Sequence, residues 1–209
     1  MKPKTEKRTY VVDNLEIRAN GEDEARTLVG YAALFDSLSQ DLGGFVEIIR
    51  PGAFTKTLQE SDVRALKNHN SDYVLGRKSS GTLRLEEDAR GLRVEIDTPK
   101  AQWANDLVES IERGDVKEMS FQFRKVIDRW TEREGQPDLR ELIEVRLFEV
   151  SPVTWPAYTD TEISARELRE LSNEVIDEQG NKISDEEPPP AGHSLNDHNK
   201  RRLQLAERL

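Results

Sequence analysis

The sequence predicts an α+β domain built mainly from antiparallel strands, arranged as a barrel or as a sheet with two or three helices packed outside it. Most of the first 164 residues read as short segments in which apolar and polar side chains alternate, as they do in half-buried strands. Only one stretch, 101–113, has a clear helical repeat of apolar residues. The length of 209 residues fits one such domain followed by a tail.

The first half of the chain is predicted to be mostly strand, interrupted by one short helix. That helix is expected to begin at Pro51, because proline suits the first helical position, with Phe54 and Leu58 on its apolar side. Residues 41–44 and 89–91 are typical of turns, and the second turn predicts a hairpin. The strands predicted around them are 10–17, 26–35, 45–49, 63–67, 82–86 and 92–97.

The second half is predicted to contain the main helix and the two longest strands. The helix 101–113 is expected to end at Gly114, a residue favoured at helix C-termini. Strands 117–130 and 139–150 follow, joined by a polar turn. Residues 151–158 contain two prolines, which predicts an edge or the exit of the strand.

The composition excludes several kinds of site. The chain has no cysteine, so it forms no disulfide, thiolate zinc site or cysteine nucleophile. Its net charge of −10 makes it a poor nucleic-acid binder, and no apolar run reaches membrane-spanning length. We therefore expect a soluble, cytoplasmic protein. Histidine chemistry in the first 164 residues would rest on His69, because the two other histidines lie near the C-terminus.

Residues 165–209 differ from the rest of the chain. They are charged and polar and include a run of three prolines, Pro188 to Pro190. Such a segment cannot bury enough apolar surface to offset the entropy of ordering it. We predict a folded domain over 1–164 and a flexible tail over 165–209.

Three polar residues are candidates for chemistry. Alternation in strand 117–130 places Met119, Phe121 and Phe123 on one face and Ser120 on the other, an open polar face. The ordinary interpretation of Ser120 is a solvent-exposed strand serine. Glu149 continues the apolar face of the next strand, so it either emerges into water there or needs a partner. His69 is expected at a strand end, where a histidine is either a surface residue or a general base facing a cleft.

A series of short segments, in order, resembles the tailed-bacteriophage prohead maturation protease family. The resemblance runs from about Arg26 to about Ser164. Its segments are LVGYAALF (28–35), FVEIIRPGAF (45–54), NHN (68–70), VLGR (74–77), GTLRL (81–85), GLRV (91–94), MSFQF (119–123) and EVSPVTWPAY (149–158).

This resemblance implies a serine endopeptidase with the small, mostly antiparallel β-barrel of the herpesvirus assembly proteases, surrounded by a few helices. It assigns the base to His69 and the nucleophile to Ser120. The herpesvirus enzymes have a second histidine as the third member, and here Glu149 occupies the equivalent strand end. Asp72, close to His69, is the competing candidate. No cofactor or metal is expected.

The resemblance also implies partners. The substrates would be the scaffold, or the scaffolding segment of the major capsid protein, and the protease itself, inside the prohead in the infected bacterium. The herpesvirus relatives suggest a homodimer, and no nucleic-acid or membrane partner is expected. Arg77 and Arg124 are candidates for stabilising the oxyanion. The alternative is a non-enzymatic scaffold or capsid-assembly protein, in which Ser120 and His69 are incidental.

Overall fold

Ten β-strands and two α-helices form the part of the chain that the structure, a computed structural model, describes: residues 5–11, 15–18 and 26–155. The strands are β1 Glu6–Val11, β2 Glu16–Arg18, β3 Thr27–Leu34, β4 Phe45–Ile49, β5 Arg64–Lys67, β6 Asn70–Arg77, β7 Leu83–Glu87, β8 Gly91–Asp97, β9 Glu118–Thr131 and β10 Asp138–Val153. The helices are α1 Thr55–Glu60 and α2 Gln102–Glu112. The predicted tail lies outside the described residues, so the boundary at residue 164 stays a prediction.

The strands form two sheets. The larger has six strands in the order β1-β9-β10-β5-β6, and β4 pairs with β10 on the same side as β5. β9 and β10 are antiparallel, whereas β4 and β5 run parallel to β10. The smaller sheet is antiparallel throughout, in the order β2-β3-β8-β7.

One continuous apolar core contains side chains from both sheets and from the helices. The ring of Phe54, just before α1, packs edge-on against Phe121 of β9, with ring centroids 5.6 Å apart. In α2 the predicted helical repeat is the buried face, formed by Ala104, Leu107, Val108 and Ile111. None of the helices in the described part of the chain is long and apolar enough to cross a membrane.

The predicted α+β class with mainly antiparallel strands is confirmed, but a closed barrel is not. Among the described residues no strand pairing joins the two sheets, and β6 ends one of them while β7 ends the other. The structure therefore has two separately hydrogen-bonded sheets that share a core.

Two element predictions were wrong, and one strand was not predicted. Residues 10–17 were expected to form one strand, yet β1 and β2 belong to different sheets. Residues 51–54 form turns, and α1 starts only at Thr55. β6 was missed because most of its side chains are exposed, which leaves no alternation of apolar and polar residues to detect.

A buried cluster of charged side chains joins β1 to the larger sheet. The Arg8 guanidinium contacts Glu47 at 2.8 Å and Glu6 at 2.8 Å. Arg140, which is fully buried, contacts Glu6 at 2.6 Å, Glu47 at 3.1 Å and Asp128 at 2.9 Å. Burial alone would raise the pKa of Glu6, but the charges of Arg140 and Arg8 outweigh it and lower that pKa below its ordinary value.

This cluster predicts an acid-dependent loss of stability. Because the pKa of Glu6 is lower in the folded protein, the stabilisation from its carboxylate is present above the ordinary value of 4.5 and is lost as the pH falls below it. Urea unfolding at a series of pH values measures this. The variant Glu6→Gln should be less stable near neutral pH and should lose less stability in acid. The same pH dependence in both proteins would contradict the assignment.

Candidate active site

Three polar side chains from separate elements meet on one face of the larger sheet. Ser120 comes from β9, Glu149 from β10 and His69 from the turn between β5 and β6. The distance from His69 Nε2 to Ser120 Oγ is 2.8 Å, and His69 Nδ1 makes a short hydrogen bond with Glu149 Oε1. The structure thus brings together all three residues that the sequence analysis selected.

The backbone of a tight hairpin turn sets the position of His69. Asn68 and His69 have φ of 52° and 57°, so both lie in the left-handed region that two-residue hairpin turns require. Asn68 ties the turn to the end of β10, since its main-chain N–H donates to Pro152 O at 3.1 Å and its side chain bonds Thr154. His69 was expected at a strand end, and the structure adds that the next strand begins at Asn70.

Ser120 is buried, which contradicts the predicted open polar face of β9. The alternation itself is as predicted, because Phe121 and Phe123 are in the core and Ser120 is on the other side of the sheet. β1 lies beside Ser120 in the same sheet, and Thr9 of β1 is the register partner of the serine. Ser120 Oγ lies 2.9 Å from the main-chain oxygen of Arg8. The pairing joins residues far apart in sequence, and strand alternation carries no information about it.

Glu149 does not continue the apolar face of β10, as had been expected. Leu147 pairs with Phe123, yet Glu149 pairs with Gln122, so Phe148 is an extra residue that forms a β-bulge. Paired residues project to the same side of a sheet, and the bulge therefore moves Glu149 from the face of Leu147 to the face of Gln122. The carboxylate has a partner, as expected, and this partner is His69. Glu149 can contact it only because the bulge changes the face on which Glu149 lies.

Ser151 is a fourth member of the cluster that the sequence analysis did not select. It is fully buried, and its Oγ lies 2.6 Å from Glu149 Oε2 and 3.2 Å from the main-chain N of His69. By accepting from the turn and donating to the carboxylate, it links the two groups that flank the imidazole. Its position two residues after Glu149, on the same face of the strand, is the signal that could have found it.

The other candidates from the sequence contact residues outside this cluster. Asp72 is exposed on β6, and its main-chain N–H donates to Asn70 Oδ1. Arg77 donates from Nε to Asp62 at 2.7 Å, and this bond holds the pKa of the Asp62 carboxyl well below its usual range. The guanidinium of Arg124 lies over the Phe148 ring, 5.6 Å from its centroid. Among the residues that the structure describes, no group of three or more His, Cys, Asp or Glu could hold a metal ion.

The cluster is arranged so that the imidazole can take the proton of the serine hydroxyl. A carboxylate on Nδ1 favours the tautomer in which Nε2 carries a lone pair, and this lone pair faces the serine hydroxyl. An imidazole so oriented can take the hydroxyl proton while the oxygen attacks an electrophile, and the carboxylate stabilises the imidazolium that forms. This arrangement suits acyl transfer through a serine.

Comparisons with known proteins agree with this chemistry. Residues 13–174 match the family model described as caudovirus prohead serine protease. Among solved structures, the bacteriophage T4 capsid assembly protease gp21 is similar, with a TM-score of 0.52 over 74% of this chain and 99% of that chain. Its sequence identity is 9%, so this likeness concerns the fold. A search of curated proteins found no significant match.

Proposed function

The chain belongs to the caudovirus prohead serine protease family, and from this premise we propose that it matures the phage capsid with Ser120 as nucleophile, His69 as general base and Glu149 as the residue that orients the imidazole. The observation that carries this proposal is the hydrogen-bond chain Glu149–His69–Ser120, with 2.8 Å between Nε2 and Oγ. A scaffold without enzymatic activity has no need of such a chain, which disfavours the alternative.

The mechanism begins with the transfer of the Ser120 proton to His69 Nε2. The hydroxyl oxygen attacks the carbonyl carbon of the scissile peptide, and a tetrahedral intermediate forms. His69 then protonates the leaving amine, so that the peptide bond breaks and an acyl-enzyme remains. Water repeats the sequence, giving its proton to His69, and the acyl group leaves as a carboxylic acid. Glu149 keeps Nδ1 protonated throughout, and Ser151 fixes the second oxygen of that carboxylate.

The substrates that we propose are assembly proteins of the immature capsid: the scaffold or the scaffolding segment of the major capsid protein. Cleavage would take place inside the prohead, in the infected bacterium. The protease would also cleave its own tail, because residues 165–209 have the composition of a chain that can be threaded through a site in extended form. We propose a homodimer as the working form.

Co-expression with the cognate capsid protein tests this function. Intact mass of the capsid protein should show a defined cleavage when the wild-type protease is present and no cleavage when the variant Ser120→Ala replaces it. An uncleaved capsid protein and scaffold in the presence of folded wild-type protease would overturn the substrate assignment.

The third role is tested by comparing two carboxylates. Glu149→Gln should slow turnover by about 10⁴-fold, the cost of losing the carboxylate that orients the imidazole in other triads. Asp72→Asn should change turnover less than threefold or so, because Asp72 is exposed and both ring nitrogens of His69 contact other groups. Initial rates on the same substrate measure both effects. The opposite ranking would move the orienting role to Asp72.

We further propose that the two sheets correspond to the barrel of the herpesvirus assembly proteases, opened between β6 and β7. Their shared apolar core supports this interpretation. An experimental structure with substrate bound, in which those two strands pair, would establish the closed form.

A further inference from the structure

The protein's own first strand lies against the proposed nucleophile. Ser120 is 0% exposed, and the side chain of His69 is only 11% exposed. β1 runs along β9 from Glu118 to Phe123, with Thr9 directly opposite Ser120. A substrate peptide can reach a buried hydroxyl only after a group that contacts this hydroxyl moves, and β1 is one such group.

The contact with β1 also opposes catalysis chemically. Ser120 Oγ is 2.9 Å from Arg8 O and 2.8 Å from His69 Nε2. A hydroxyl has one proton to donate, and the proton that it gives to the Arg8 carbonyl is not available to the imidazole. In this bond the carbonyl oxygen, and not the carbonyl carbon, meets the hydroxyl. β1 therefore sits at the nucleophile as an inhibitor would.

We propose that the edge of β9 beside Ser120 is the binding surface for an extended substrate segment, and that β1 fills this surface until the substrate displaces it. The inference rests on the proposed function. The other edge of β9 is paired with β10 from Glu118 to Thr131, so among the described strands β1 alone covers the edge next to Ser120. A substrate strand added at this edge would bring its main chain beside Ser120, where Arg8 lies now, and would have to present the carbon of its scissile carbonyl to the hydroxyl instead of the oxygen.

The buried charges allow β1 to leave. β1 contributes one acid and one base to the cluster, Glu6 and Arg8, so its departure does not change the net charge of the rest. Arg140 keeps Glu47 at 3.1 Å and Asp128 at 2.9 Å as partners. When β1 is released, Arg140 and the two carboxylates therefore still have partners of opposite charge. A buried ion that loses all its partners would be the costly outcome.

A reversible crosslink between β1 and β9 tests the proposal in the full chain. Lys7 and Gln122 are register partners, and residues opposite each other on antiparallel strands have Cβ atoms about 4.5–5.5 Å apart, close to what a disulfide needs. The natural sequence has no cysteine, so the double variant Lys7→Cys/Gln122→Cys carries its only two thiols. Intact mass shows whether the bond has formed.

The rate at which a fluorophosphonate probe labels Ser120 is then compared in the oxidised and reduced forms of this one protein. Oxidation should slow labelling by about tenfold or more, because the hydroxyl becomes reachable only when β1 opens, and reduction should restore the rate. The single variants Lys7→Cys and Gln122→Cys, treated in the same way, should not respond to oxidation. Equal labelling of the oxidised and reduced double variant overturns the inference and leaves the proposed function intact.

A second measurement separates this inference from the proposed function. If no form of the protein is labelled at Ser120, the proposed function fails. Hydrogen exchange in the wild-type protein still tests strand release: the amides of β1 should exchange about tenfold or more faster than those of β10 around Leu142 and Leu147. Equal exchange in the two strands would overturn the inference by itself.

Discussion

Replacing Ser120 with alanine should abolish proteolysis while the protein remains folded. The hydroxyl is the only nucleophile in the Glu149–His69–Ser120 chain, so the variant should lose about a millionfold in turnover, the effect of removing the nucleophile from a comparable triad. Capsid-protein cleavage, followed by intact mass, measures this loss. Cleavage at the wild-type rate would remove Ser120 from the mechanism.

The stability of Ser120→Ala is the control for this result. Because the serine is buried and bonded to Arg8 O, its removal should cost about 1 kcal/mol of unfolding free energy, more than a surface serine would. Urea unfolding measures that cost. A folded variant that also retains its tail on storage, while the wild-type protein loses it, would support self-cleavage. Equal trimming of both purified proteins would point to a different protease.

Replacing His69 with glutamine should have an effect of similar size. Glutamine can fill much of the space and hydrogen-bond Glu149, but it cannot accept the Ser120 proton, so we expect a loss of about a millionfold. In the wild-type protein, cleavage should fall in acid, because an imidazole that already holds a proton on Nε2 cannot take one from the hydroxyl. Initial rates across a pH range in which the protein stays folded measure this limb.

The variant His69→Gln is also the control for the fall of the cleavage rate in acid. If its residual activity shows the same loss in acid as the wild type, another group causes that loss and the role of His69 as base would be contradicted. The turn should survive the substitution, since its ties to β10 come mainly from Asn68 and from the main-chain N–H of His69.

The three candidate residues could be selected from the sequence because each carries a reactive group inside a segment that resembles the family. The surroundings of these residues could not be predicted from the sequence. The contact of Ser120 with β1 depends on the pairing of residues 6–11 with 118–123, and alternation within either segment does not predict that pairing. The face of the sheet on which Glu149 lies depends on one extra residue, Phe148. No glycine or turn residue next to it signals a bulge in the sequence.

The helices and strands show the same contrast: those with a strong local pattern could be predicted, and those without one could not. α2 and the hairpin of β7 and β8 have strong local patterns, an apolar helical repeat and two alternating segments around a turn, and both were predicted. β6 has no such pattern because its side chains are largely exposed. Its pairing with β5 comes from the tight turn at Asn68 and His69, two residues that tolerate positive φ better than most.

The bulge at Phe148 makes this part of the protein tolerant of a change in chain length. Deleting that one residue would make Leu147 and Glu149 neighbours on opposite faces of a regular strand, which are the faces that they occupy now. Glu149 would still pair with Gln122 and Val150 with Phe121, so only the local bend and twist of the bulge would be lost. In the terms of sequence comparison, a relative with a single-residue gap between Leu147 and Glu149 can keep the same three side chains together, because the gap removes the bulge and leaves the register unchanged.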